Sequence, residues 1–370
     1  MAQAIINATV FTGSEVLKNV AVLTRHGKIL DITAHVPEGF AIVDAAGKNA
    51  APAFIDIQPN GGYDLYFSKE LSAAALQDMY QASIDHGTGY ILPTLISSGF
   101  ETILKGIEVV KSFMQQQPGV LGMHLEGPFI NIDKRGAHPA AIIRKPTDEE
   151  LKQIIDSGKD VIKIITIAPE CFTDDQLQLL LDSGINIAIG HTAVTYEQAQ
   201  YYFSKGIQLV THLYNAMNQM GHRECGLVGA IFDNESIYAP VILDGGHCHY
   251  AAARVAYKQK GDKLILLSDA AFLGRKKQVF DWENLSIKMV DGYYRDGAGN
   301  LGGAAISMID AVKNARTHLH VTLQEAIEMA TSRVAKAIKM DDRIGFIQPG
   351  YDARFVLFDD ELDSVAFIEG

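Results

Sequence analysis

Four ionisable side chains stand where apolar runs of this sequence stop. Glu126 follows the apolar residues 120–123 and precedes Gly127-Pro128; His191 closes residues 185–190, His212 closes 207–211, and Asp269 closes 264–268. A short apolar run bounded by turn signals reads as a buried strand, so each ionisable group is expected at the mouth of one. One carboxylate and two imidazoles are donors that zinc and iron(II) favour, and a catalytic site leaves a position open for water. Glu126, His191 and His212 are therefore expected to hold one divalent metal ion, zinc first and iron as the alternative. Asp269 beside it is expected as general base and acid, taking a proton from water and passing it to a leaving amine. Each residue alone has a plainer explanation, a hydrogen-bonded structural histidine or an aspartate capping a loop. The repetition at four apolar run ends favours the metal.

Other residues could complete such chemistry. His138 lies in Lys134-Arg135-Gly136-Ala137-His138-Pro139, and a loop histidine can polarise a carbonyl opposite a metal. Asn215, Ala216, Arg223 and His247 form a second group. The planar fork of Arg223 suits a phosphate, although a solvated surface cation is the plainer reading.

The elements that must position these groups alternate. Strands are expected at 54–57, 90–96, 120–123, 161–167, 185–190, 207–211, 238–243 and 264–268. Helices are expected at 72–85, 101–114, 149–157, 173–183, 196–204 and 250–259. Residues 101–114 carry Ile103, Leu104, Ile107, Val110 and Phe113, a helical stripe. Thr147 with Glu150 predicts a capping box. Eight strands with intervening helices predict a closed (β/α)8 barrel, an α/β fold whose site gathers at the C-terminal strand ends. An open doubly wound sheet is the alternative, but no Gly-x-Gly-x-x-Gly follows a strand. Residues 4–11, 20–24 and 29–32 read as strands, with Ala50-Ala51-Pro52 breaking the pattern, and 354–358 as another. The two β-rich ends, 1–50 and 345–370, are expected to form a small β-sandwich flanking a barrel of residues 51–344. A β-ribbon at 280–295 and helices at 304–316 and 323–338 follow the eighth strand.

Composition bounds the partners. The 370 residues are 48% hydrophobic and 21% charged, an ordinary globular balance. A net charge of −12 argues against nucleic acid or an anionic membrane as partner. No apolar run reaches the roughly 18 residues of a membrane span. Three cysteines, Cys171, Cys225 and Cys248, without C-x-x-C or a secretory pattern, predict free thiols in the cytoplasm.

Longer motifs carry a resemblance. His124-Leu125-Glu126-Gly127-Pro128-Phe129, Lys134-Arg135-Gly136-Ala137-His138, Gly190-His191-Thr192, Thr211-His212-Leu213-Tyr214-Asn215-Ala216-Met217, Asp244-Gly245-Gly246-His247 and Ser268-Asp269-Ala270 together resemble the N-acetylglucosamine-6-phosphate deacetylase family of the amidohydrolase superfamily. The ends Pro52-Ala53-Phe54-Ile55-Asp56 and Ile344-Gly345-Phe346-Ile347-Gln348-Pro349-Gly350 agree, so the likeness covers nearly the whole chain. The resemblance implies hydrolysis of N-acetylglucosamine 6-phosphate to glucosamine 6-phosphate and acetate. Glu126, His191 and His212 would hold one metal per subunit, Asp269 would move the proton, and His138 would share carbonyl polarisation. Ala137, His138, Asn215, Ala216, Arg223, His247, Leu301, Gly302 and Gly303 would meet the sugar phosphate. In the family the arginine can reach across a dimer interface, so a homodimer is expected.

Departures from the family pattern are specific. Gln58-Pro59-Asn60 replaces a His-x-His pair, and neutral amides are poor ligands for zinc or iron, so a single ion is expected. The segment Ala271 to Arg275 lacks a common proline, His249 stands where an aspartate is frequent, and Leu301 to Ala305 replaces a more serine-rich loop. Other readings are a related amidohydrolase acting on another N-acetyl amino sugar phosphate or on a cyclic amide, or a non-catalytic amidohydrolase-like binding protein. Cyclic amidohydrolases of the dihydroorotase kind use paired histidines and a bridging lysine, both missing here. A binding protein would be expected to have lost the metal ligands, which this chain keeps.

Overall fold

The computed structural model describes residues 2–275, 277–282 and 285–370, with the side chains of residues 275 and 285 outside the description. Contacts divide the chain into two compact units. One comprises the chain up to Asp56, Ser83–Tyr90 and Ser307–Gly370; the other comprises Ile57–Ala82 and Ile91–Ile306.

The second unit is α/β. Five parallel strands lie side by side in chain order: Thr94–Ile96, Met123–Glu126, Ile162–Ile167, Asn186–Ile189 and Leu209–Val210. A parallel pair, Ala239–Ile242 with Leu264–Leu267, follows, and a parallel bridge from Leu209 to Tyr238 leads into it. Most of these strand residues are buried, as expected of parallel strands covered on both faces. Parallel neighbours need crossovers, and helices Phe100–Met114, Asp148–Gly158, Asp174–Asp182 and Tyr196–Ser204 supply them. In Phe100–Met114 the predicted stripe is the buried face, through Ile103, Ile107, Val110 and Phe113. The pairings give separate sheets rather than one closed ring of eight.

Several boundaries differ from expectation for physical reasons. The strand before the Gly-Pro turn is Met123–Glu126, three residues later than the apolar run suggested. Gly122 has φ +146°, which breaks the extended run, and pairing with Ile162–Ile167 then carries Glu126 inside the strand. Thr147 accepts from the Glu150 backbone N–H, but the Glu150 carboxylate pairs with Arg144 instead of closing a capping box. Residues 90–96 form two strands, interrupted at Leu92-Pro93. Helix Gly226–Phe232 was not foreseen. The ribbon has three antiparallel strands, Val279–Trp282, Leu285–Val290 and Tyr293–Arg295. Residues 283 and 284 of the expected ribbon lie outside the described residues.

The first unit contains two sheets. Ala2–Ile6, Ala21–Arg25, Lys28–Thr33 and Ala41–Asp44 form one; Thr9–Phe11, Val16–Leu17, Asn49–Pro52, Arg354–Phe358 and Val365–Glu369 form the other. The single strand expected over residues 4–11 is broken at Asn7, which has φ +56°. Ala50-Ala51-Pro52, expected to end the pattern, is a central strand between the two ends of the chain, with Val356 opposite Ala51. Its alanines are fully buried, so close packing outweighs weak strand propensity, and the proline closes the strand. Ile5, Val10, Val22, Ala50, Phe355 and Leu357 share one apolar cluster, so both sheets feed it. Residues 323–338 form two helices, Leu323–Glu328 and Ser332–Ala337, broken at Thr331. Among the described residues no helix is long and apolar enough to cross a membrane.

Candidate metal centre and cavity

His191, His212 and Asp269 each stand two residues beyond a parallel strand, and Glu126 is the last residue of its own. The four side chains line one cavity. His191 Nε2 and His212 Nε2 are 3.0 Å apart, and each is 3.1 Å from Glu126 Oε1. His191 Nδ1 donates to the Lys134 carbonyl at 2.8 Å. In a neutral ring that leaves a lone pair on Nε2, aimed at the carboxylate oxygen. Facing lone pairs repel, and a cation between them resolves the contact. Ligand atoms of Glu126, His191 and His212 all lie within 4.8 Å of one another and are buried. The donor set therefore fits a divalent ion of the zinc or iron(II) kind. The hydrogen bond from His191 to a carbonyl is the usual support of a ligating imidazole. His212 Nδ1 is buried and has no such partner among the described residues.

Electrostatics reinforce the cluster. Burial alone would raise the Glu126 carboxyl, but the His191, His212 and His138 imidazoles, whenever they carry a proton toward it, hold it well below the usual range. Burial lowers His212, and the opposing hydrogen bond and charge of Glu126 raise it overall. Asp269 is pushed up to about 7, first by burial and then by the Glu126 charge.

Two amides support the carboxylates. Gln58 Nε2 donates to Glu126 Oε1 at 3.0 Å and lies 3.5 Å from Asp269 Oδ1. The Thr211 hydroxyl donates to Gln58 Oε1 at 2.7 Å, which sets that amide's orientation. Asn60 Nδ2 donates to Asp269 Oδ1 at 2.9 Å. Gln58 and Asn60 thus act as hydrogen-bond donors where a His-x-His pair would have been a ligand pair.

The remaining predicted residues divide. Ala137, His138, Asn215, Ala216, His247, Leu301, Gly302 and Gly303 line the same cavity. His138 Nε2 is 4.0 Å from Glu126 Oε2, and its ring meets that of His191 edge-on at 4.5 Å. Burial, with the charge of His191, lowers His138 to about 3. His247 Nδ1 donates to Asp244 Oδ2 at 2.7 Å, leaving Nε2 for a ligand. Asn215 Nδ2 lies 3.3 Å and 3.2 Å from the His212 and Leu213 carbonyls. Arg223 is not brought into this cavity: it is exposed and lines a separate recess with Thr195, Glu197 and Cys225. His249, at the position where an aspartate is frequent, caps helix Tyr250–Lys260 by accepting from the Ala251 N–H. His124, one turn of the pleat from Glu126, is not part of the site. It lies between the Ile57 carbonyl and the Thr166 hydroxyl, and burial lowers it to about 4.

Sequence reasoning missed the apolar wall formed by Tyr66, Ile96, Phe280, Trp282 and Ile287. Phe280 and Trp282 are two apart on one strand and therefore share a face, a period-two signal that was available. Tyr66 lies far from any motif and packs 4.8 Å from Phe280 and 5.8 Å from Trp282.

Comparison with known proteins gives this geometry a lineage. Residues 49–369 match the family described as the amidohydrolase family. A Haemophilus influenzae protein named N-acetylglucosamine-6-phosphate deacetylase is 33% identical over 366 residues, covering 97% of this chain and 95% of the relative. A Shewanella protein named N-acetylgalactosamine-6-phosphate deacetylase is 36% identical over 315 residues, covering 83% of this chain and 78% of the relative. The solved structure of N-acetylglucosamine-6-phosphate deacetylase from Pasteurella multocida superposes with a TM-score of 0.94 at 33% identity, covering 100% of both chains. With a match that spans most of the sequence and includes the carboxylate and both imidazoles, the chain belongs to the amidohydrolase family.

Proposed function

We propose that this chain hydrolyses N-acetylglucosamine 6-phosphate to glucosamine 6-phosphate and acetate. The observation that carries the reading is the convergence of Glu126, His191 and His212 beside Asp269 and His138 in one cavity, in a chain similar throughout to deacetylases of that name. A divalent ion held by Glu126, His191 and His212, zinc first and iron as the alternative, would supply positive charge that acidifies water and polarises an amide carbonyl.

The chain's own residues supply the rest. Asp269 Oδ1 is occupied by Asn60 and approached by Gln58. That leaves Oδ2 to take the proton from water and deliver it to the amine nitrogen as the C–N bond breaks. In the metal-free chain burial and the Glu126 charge raise this carboxyl to about 7, and a bound cation would draw it back toward the carboxylate form that accepts the proton. His138 Nε2 faces the cavity beside Glu126 and donates to the amide oxygen as negative charge develops there. His247, oriented by Asp244, and Asn215 and Ala216 bind the sugar phosphate, with Leu301, Gly302 and Gly303 as the opposite wall and Ala137 beside His138. Arg223 binds phosphate only if a neighbouring subunit supplies it, which is why a homodimer belongs to the reading.

The architecture proposed with it is a closed (β/α)8 barrel over residues 51–344, with a β-sandwich built from 1–50 and 345–370. Chain-order parallel pairing supports closure, as does the backbone bond from Asn60 N–H to the Ala270 carbonyl at 2.9 Å, which joins the segments after the first and last strands. Three free cysteines support a cytoplasmic site of action.

The Shewanella relative favours one second reading, the galacto epimer as substrate. Acetate release measured with N-acetylglucosamine 6-phosphate, N-acetylgalactosamine 6-phosphate and unphosphorylated N-acetylglucosamine decides. The gluco phosphate should give the highest kcat/KM. A preference for the galacto phosphate would move the assignment to that epimer, and release from none would remove the deacetylase reading.

A further inference from the structure

His138 is held by a residue that no motif pointed to. Ser97 lies just beyond strand Thr94–Ile96 and is fully buried. Its backbone N–H donates to His138 Nδ1 at 3.3 Å, and its hydroxyl oxygen is 2.7 Å from the same nitrogen. A backbone N–H can only donate, and a ring nitrogen that accepts it carries a lone pair and no proton. The hydroxyl must then donate as well, because Nδ1 has no hydrogen to give. In the neutral ring the proton is therefore on Nε2, the nitrogen that faces the cavity and lies 4.0 Å from Glu126 Oε2. Turning the ring over would set a carbon against both Ser97 donors and leave two buried groups unpaired, which costs about 1–3 kcal/mol each.

A third residue keeps the hydroxyl in place. A Cβ on Gly127 would come within 2.3 Å of Ser97 Oγ, and Gly127 has φ +76°. The glycine of the Gly127-Pro128 turn thus leaves room for the serine as well as forming the turn.

We infer that Ser97 is the positioning residue that fixes His138 as the Nε2–H tautomer, so that the ring presents a hydrogen-bond donor, and no lone pair, to the acyl oxygen of the substrate. The inference rests on the deacetylase reading for its kinetic consequence, but not for the tautomer. A ring set the other way would aim a lone pair at an oxygen that gains negative charge and would oppose the reaction.

The test has a spectroscopic arm and a kinetic arm, both on the metal-loaded protein. Nitrogen-15 chemical shifts of the His138 ring, identified by their loss in His138→Gln, should show Nδ1 unprotonated and Nε2 protonated. A protonated Nδ1 in the wild type overturns the inference whether or not acetate is released. Ser97→Ala keeps the backbone donor but loses the shorter bond, so part of the Nδ1 signal should move toward the protonated range and kcat should fall by roughly 10- to 100-fold with KM for N-acetylglucosamine 6-phosphate unchanged. Ser97→Thr, which keeps the hydroxyl, should restore both. A fall in kcat with no change in the ring shifts would make Ser97 merely structural, and unchanged shifts with unchanged kcat would also refute its role. Wild-type protein with the expected shifts and no acetate release would refute the deacetylase reading and leave the tautomer assignment standing.

Discussion

Asp269→Asn should remove turnover and stabilise the metal-free protein. The carboxyl is pushed from 3.8 to about 7, first by burial and then by the Glu126 charge. A carboxyl raised in the folded state contributes nothing unfavourable while protonated in both states, below pH about 4. As pH rises toward 7, the unfolded chain ionises more readily than the folded one, and stability is lost. A shift of about three units corresponds to about 4 kcal/mol, reduced by cavity water around a side chain that is partly exposed. An isosteric amide never ionises and escapes that loss. Its oxygen can still accept from Asn60, so the fold keeps the hydrogen bond at Oδ1. Scaled to a chain of this length, the gain is up to about 5 °C in melting temperature at pH 8.

The assay is a melting curve of chelator-treated wild type and Asp269→Asn at pH 8 and pH 5, with kcat and metal content measured on loaded samples. The variant should melt higher at pH 8, with the difference more than halved at pH 5. Its metal content should match the wild type, because Asp269 lies outside the Glu126, His191 and His212 cluster. Its kcat should fall by roughly 10²- to 10⁴-fold. Equal melting temperatures at pH 8 would refute the electrostatic argument, and kcat within tenfold of wild type would refute the proton-transfer role.

Glu126→Gln should abolish stoichiometric metal, measured by elemental analysis, since the cluster loses its only carboxylate; full occupancy would mean that two imidazoles suffice. Arg223→Ala should raise KM for the phosphorylated sugar by roughly tenfold or more, as loss of a charge-assisted pair predicts, and leave the unphosphorylated sugar unaffected; an equal effect on both would remove Arg223 from phosphate binding. If two subunits share the site as proposed, assays at a dilution where sedimentation velocity reads a monomer should reproduce that KM change, and a monomer with unchanged KM would detach Arg223 from a neighbouring subunit.

The buried cluster of Glu126, His191 and His212 was legible because each member follows an apolar run, and burial is written directly into composition. The helix Phe100–Met114 was legible because its stripe repeats over fifteen residues. Residues 49–52 were not. Alanine and proline carry little strand signal, and that strand exists because Arg354–Phe358, some 300 residues away, pairs with it. The Thr147 cap was visible, but the partner of Glu150 was not, because Arg144 competes for the carboxylate only once the loop is folded. Ser97, Thr211 and Tyr66 were invisible for the same reason. Their roles are contacts to His138, Gln58 and Phe280, each at least 41 positions away or in a separate element.

The backbone at the strand ends explains why the pattern takes the form it does. His191, His212 and Asp269 have φ of +49°, +25° and +48°, a region non-glycine residues seldom occupy. Glycine would relieve the strain but has no side chain to ligate or titrate, so each position retains a cost of order 1–3 kcal/mol. Such strain persists only where neighbours over-determine the conformation. The carbonyl of His191 accepts from Asn131 N–H at 2.9 Å, that of His212 from Asn215 N–H at 2.9 Å, and that of Asp269 from Ala304 N–H at 2.8 Å. Each bond ties a functional residue to a loop that also reaches the cavity: the loop leading to His138, the Asn215-Ala216 turn, and the Leu301–Gly303 wall. The same bonds that hold the strained backbone thus place these cavity walls against the Glu126, His191 and His212 cluster. A substitution that loosens one of those loops should therefore disturb metal and sugar binding together.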